Sequence, residues 1–135
     1  MDRFTVSTCH SLKIIPLSRL TRFSRIQSRI VMMVLGNADD AAAVPGSLKL
    51  SHSSENGVIK KKISFERSDV SNLTADILNG YKVSRLIATY VDESGKRRVA
   101  GSPDCPLSLD YSTEGGVFSV TLQGEDAVMD GFLMD

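Results

Sequence analysis

The sequence predicts an α+β protein: a small antiparallel β-sheet or half-barrel in the order β-β-α-β-β-β-β, with one packed helix, preceded by a basic N-terminal extension. Three observations carry this expectation. The turn dipeptides Asn56-Gly57, Ser94-Gly95 and Gly115-Gly116 separate runs in which apolar and polar residues alternate, the pattern of half-buried strands joined by hairpins. After residue 48 one stretch, with Val70, Leu73, Ile77 and Leu78, repeats at helical spacing. Charge is divided: up to Ala38 six basic residues face a single acid, Asp2, which gives net +5 and leaves −5 for the rest of a chain of formal charge zero.

This division predicts three segments: a transit-peptide-like stretch at 1–36, a linker at 37–47 and a small α+β domain at 48–135. From Phe4 to Leu35 the chain is rich in Ser, Thr and Arg and contains no Asp or Glu. Leu17, Leu20, Phe23, Ile26, Ile30 and Met33 recur at spacings of three and four, so a helix would gather them in one apolar stripe beside the arginines. Such a composition predicts an organellar address. The hydroxylated, uncharged run from Phe4 to Thr8 ahead of the arginines favours a plastid over a mitochondrion. The same residues also fit a membrane-surface helix, an Arg-rich arm for nucleic acid, or an ordinary helix packed by its stripe. The longest apolar run, Ile30 to Leu35, is far short of the roughly 20 residues of a membrane span. The small residues, Pro45 and Gly46 of the linker predict disorder.

Within 48–135 each element has its own signal. Ser47–Ser51 and Val58–Phe65 pair as a hairpin about Asn56-Gly57, with Ile59, Ile63 and Phe65 on one face and Lys60 and Lys62 on the other. Ser68 or Asp69 caps the helix, and Asn79-Gly80 ends it. Tyr81–Val91 and Arg97–Ala100 form a second hairpin, and Leu107–Tyr111 and Val117–Gln123 a third. In the acidic tail, Phe132, Leu133 and Met134 either cover an open sheet edge or dock on a partner. With no tryptophan and few aromatics, the core rests on aliphatic residues and is thin.

Few residues offer chemistry. Cys9 and Cys105 are too few for a disulfide framework or a zinc cluster. Cys105 could act as a nucleophile only with His52 brought beside it, and His52 reads as solvated among Ser51, Ser53 and Ser54. Asp104 and Asp110 have no spacing that forces them together, and Gly115-Gly116 lacks the Lys-Ser/Thr of a phosphate loop. No catalytic, cofactor or metal residue is predicted. Two basic clusters, Lys60, Lys61, Lys62 and Lys96, Arg97, Arg98, would form one positive patch if their strands were neighbours. No aromatics are interleaved with them to stack on bases. The expected function is a non-catalytic accessory or assembly subunit of an organellar protein complex. Those six cations and Phe132, Leu133 and Met134 are its contact residues; an RNA-associated protein binding phosphates through the clusters is the alternative.

Overall fold

The computed structural model describes residues 3–134; Met1, Asp2 and Asp135 lie outside it. The described residues are mostly β with one helix. The strands are β1 (Arg3–Thr8), β2 (His10–Pro16), β3 (Leu20–Ile26), β4 (Arg29–Val34), β5 (Asp39–Asp40), β6 (Lys49–Glu55) and β7 (Val58–Arg67). Helix α1 (Asn72–Lys82) follows, then β8 (Leu86–Val91), β9 (Arg97–Ala100), β10 (Ser108–Glu114), β11 (Val117–Asp126) and β12 (Gly131–Leu133). Two sheets result, one of five strands in the order β1-β6-β7-β11-β10 and one of seven in the order β3-β4-β12-β9-β8-β2-β5.

The five-stranded sheet grows from local turns. Asn56 and Gly57 take φ of +52° and +78°, so the chain reverses in two residues and Glu55 pairs with Val58. Leu50, Ile63, Phe65, Val120, Leu122 and Leu109 line its inner face. They meet Leu12, Ile14, Leu86, Ala88, Tyr90 and Ala100 of the other sheet in the main core. The second sheet curls into a half-barrel around a smaller core of Ile30, Ile87 and Val99, with Leu17, Leu20, Phe23, Met32 and Leu133 packed against it. The amide of Leu17 extends the β2–β8 pairing by donating to the carbonyl of Arg85 at 2.9 Å.

The N-terminal helix predicted for 17–33 is replaced by strands and a three-residue 3-10 turn. Its spacing of three and four was ambiguous, because alternate residues of two paired strands satisfy it as well. Phe23 and Met32 face each other across β3 and β4 on the inner side, whereas Ile26 and Met33 point outward. Gln27 reverses the chain with φ of +57°. A run of Ile, Val and Thr suits a pleated, half-buried surface better than a helix. Residues 10–34 thus contribute buried Leu12, Ile14, Ile15 and Ile30 to the same body as residues 48–134.

The predicted linker is also ordered. β5 pairs with β2, Ala41 is buried, and the amide of Val44 donates to Glu66 at 2.7 Å.

Helix α1 begins and ends later than expected. Ser71 is the cap, its Oγ accepting from the Thr74 amide at 3.2 Å, and the helix runs past Gly80 to Lys82. Thr74 and Leu78 face the core, while Leu73 and Ile77 are exposed. β8 accordingly starts at Leu86 rather than Tyr81. The C-terminal run forms a further strand, β12, antiparallel to β9 and parallel to β4. Gly131 makes this insertion possible, because a Cβ there would come within 2.6 Å of Ile30 Cδ1.

A buried charged cluster between the sheets

Strand alternation divides the first lysine cluster. Lys60 and Lys62 point to the outer face of β7, and Lys61 points inward, with only 2% of its surface exposed. His52 sits opposite Lys61 in the β6–β7 register, so both side chains emerge on the inner face. From the other sheet come Tyr90 of β8 and Arg98 of β9, also cross-strand partners. Asp130, just before β12 and likewise 2% exposed, lies where the two groups meet.

The Asp130 carboxylate is the hub. Lys61 Nζ lies 2.7 Å from Oδ1, and His52 Nε2 is 3.4 Å from Oδ2, to which the Tyr90 hydroxyl also donates. Asp126 Oδ2, at the end of β11, is 3.9 Å from Lys61 Nζ. Arg98 donates from Nη2 to the Asp130 carbonyl at 2.6 Å and reaches Asp92 Oδ2 at 3.4 Å. Its guanidinium also stacks 4.2 Å from the centroid of the Phe132 ring. Strands from both sheets are thereby tied to the segment that leads into β12.

Burial acts on each group. By itself it would raise the Asp130 carboxyl, but His52, Lys61 and Tyr90 together outweigh it and hold the group below the ordinary carboxylate range. The Tyr90 hydroxyl is driven upward, by burial first and by Asp130 second, so it stays a donor at neutral pH. Burial, with Asp130 adding to it, pushes the Cys9 thiol up to about 11 and makes it a poor nucleophile.

The predicted contact residues are dispersed. β7 and β9 belong to different sheets, so the six cations do not form one patch. Lys60 and Lys62 stand on the outer face of the five-stranded sheet beside Ser51, Ser53, Gln123 and Glu125. Lys96 and Arg97 are exposed at the β8–β9 turn of the other sheet, and Arg98 is engaged with Asp92, Asp130 and Phe132. Phe132 and Leu133 lie within the seven-stranded sheet, and Met134 is exposed beyond it. His52, read as solvated, faces Asp130 from a strand, and Asp110 pairs on the surface with Lys82 at 3.3 Å.

Sequence reasoning missed the Lys61–Asp130 pair, although one half of it was visible. In the series Ile59, Lys61, Ile63, Phe65, the lysine occupies an apolar-face position. The other half, an aspartate far along the chain in an irregular segment, carried no local mark.

A second feature lies on the surface. The outward face of the β3–β4 hairpin exposes Ile26, Val31, Met33 and Leu35. Arg22 pairs with Met33, and Arg29 with Ile26, across the strands, so basic and apolar groups alternate there. β3 is the last strand of its sheet and has one open edge.

Among the described residues, no His, Cys, Asp or Glu group is arranged to hold a metal ion, and no helix is long and apolar enough to cross a membrane. No protein-family model matches the chain, and no significant match was found among curated proteins or solved structures.

Proposed function

We propose that this protein is a non-catalytic accessory or assembly subunit whose partner docks on the outer face and open edge of the β3–β4 hairpin. The observation that carries this reading is the exposure of Ile26, Val31, Met33 and Leu35 side by side on an edge hairpin, with Arg22 and Arg29 among them. Contiguous exposed apolar surface of this kind marks interaction sites, and an open edge offers unpaired backbone groups to an incoming strand. Arginine beside aliphatic side chains is typical of contact patches.

The N-terminal segment therefore works in place, as part of the folded body. An organellar address within residues 1–36 would have to be read before folding, because residues 10–34 are strands of the finished sheets. Dispersal of the six predicted cations over two sheets counts against the phosphate-binding alternative.

The test is affinity purification of the tagged full-length chain from its native cell, with the bound proteins quantified. The double variant Val31→Lys, Met33→Lys is expected to lose the wild-type partner at least tenfold, and Lys60→Ser, Lys62→Ser to retain it. Both variants should melt as the wild type does. Retention by the hairpin variant, or no partner for any form, would overturn the reading. Binding that instead follows Lys60 and Lys62 and weakens steeply with salt would favour the phosphate-binding alternative.

A further inference from the structure

We propose that Lys61 and Asp130 become covalently joined through an amide bond between their side chains. The inference is independent of the hairpin reading. Lys61 is the one buried lysine among the described residues. Its Nζ is held 2.7 Å from Oδ1 of an equally buried aspartate, yet neither atom has a partner in hydrogen-bonding alignment. The pairs formed by other lysines, Lys60–Glu55 and Lys82–Asp110, have side chains at least half exposed. A reactive pair is thus held in contact, out of water, by strands that have already lost their freedom to move apart. Fixed proximity of this kind removes most of the entropic barrier to a two-body reaction. Excluding water protects the product from hydrolysis.

The balance closes without any co-reactant. An ammonium and a carboxylate give an amide and one water. Lys61 Nζ passes one proton across the 2.7 Å contact to Oδ1, so that a neutral amine faces a carboxylic acid, and then attacks Cγ of Asp130 to form the N–C bond. One carboxylate oxygen departs, carrying both protons that the nitrogen loses, and no electron leaves or enters the pair. The neighbours suit these transfers. Asp126, 3.9 Å from Nζ, can take the second proton from the nitrogen and return it to Oδ1, which departs as water. The Tyr90 hydroxyl, already bonded to Oδ2, stabilises the negative charge that builds there during attack. The bond would tie β7 of one sheet to the entry of β12 in the other, where the carboxyl end of the chain is otherwise held by a three-residue strand.

The experiment is the intact mass of the purified full-length protein under denaturing conditions, followed by fragmentation of its peptides. The expected mass is one water below that of the sequence, with a branched peptide linking Lys61 to Asp130. Lys61→Arg and Asp130→Ala should each return the unmodified mass, and Tyr90→Phe should slow the appearance of the linked form. Folded wild type that keeps its full mass after prolonged incubation would overturn the proposal and leave an ion pair. So would loss of water that persists in Lys61→Arg, since a cyclic imide at Asp130-Gly131 has the same mass but no branch. The wild-type measurement decides the matter even if a variant fails to fold.

Discussion

The two sheets reach burial by different routes. In the five-stranded sheet, β6 with β7 and β10 with β11 are hairpins, and one face is apolar while the other is polar. Each hairpin can form from residues that are close along the chain. The seven-stranded sheet is gathered from residues 10–40, 86–100 and 131–133, and both of its faces are buried in places: Ala88 and Ala100 look into the main core, Ile87 and Val99 into the small one. None of its three pieces can bury its apolar groups alone, so the sheet depends on contacts between distant parts of the chain. The charged cluster lies where this dependence is greatest, at the point where the C-terminal segment enters between β4 and β9. A sheet buried on both faces has few sites left for polar side chains, and those it has must be paired.

Removing residues 1–36 should have the largest effect. The cut deletes β1 of the first sheet and β2, β3 and β4 of the second, and with them buried Leu12, Ile14, Ile15 and Ile30. Each such side chain contributes about 1.5–3 kcal/mol of burial, and the sum of four is comparable to the whole stability of a domain of this size. The truncated chain is expected to show no cooperative thermal transition, by calorimetry or by near-ultraviolet dichroism. Cooperative melting of the fragment would mean that the second sheet closes without its N-terminal strands.

Next in size is the contrast between neighbouring lysines. Measured against wild type in which Lys61 and Asp130 are not yet joined, Lys61→Met leaves the Asp130 carboxylate buried without its cation and should cost about 3–5 kcal/mol. Lys60→Met, on the outer face of the same strand, should stay within about 0.5 kcal/mol. Urea unfolding of the two variants measures both values. Equal effects would show that Asp130 does not depend on Lys61.

The same division decides what could be read from the residues alone. The Asn56-Gly57 hairpin was legible because the turn and the alternation beside it are local signals, and the single helix because Val70 to Leu78 repeat at its period. The helix face was misread: Leu73 and Ile77 belong to the stripe but lie exposed, since the sheet packs on the side of Thr74 and Leu78. β2 and one edge of β4 were hidden because their partners, β8 and β12, lie more than fifty residues away, while β3 pairs with the adjacent β4 across Gln27-Ser28, a reversal that carries no Gly, Pro, Asn or Asp. The candidate site combines both cases. Lys61 was visible as a charge at an apolar-face position, while Asp130 is placed by tertiary packing alone. The exposed hairpin face could not be separated from a core stripe without knowing which side of β4 meets the small core.

The smallest effect tests whether the two sheets fold as one unit. Helix α1 is the chain's passage from β7 of the first sheet to β8 of the second, and its buried Leu78 belongs to the core the sheets share. At its start, Ser71 Oγ accepts from the Thr74 amide and donates to Thr74 Oγ1, which in turn donates to Asp69, itself paired with Arg67 at 2.7 Å. Ser71→Ala leaves the Thr74 amide without that acceptor and should cost about 1 kcal/mol, with Ser71→Asp recovering most of it. If the shared core makes folding cooperative, this loss should lower the hydrogen-exchange protection of buried amides in both sheets equally, at Ile63 in β7 and at Val99 in β9 alike. Loss of protection at Ile63 with Val99 unchanged would show that the first sheet opens alone, and that the charged cluster latches two units of unequal stability.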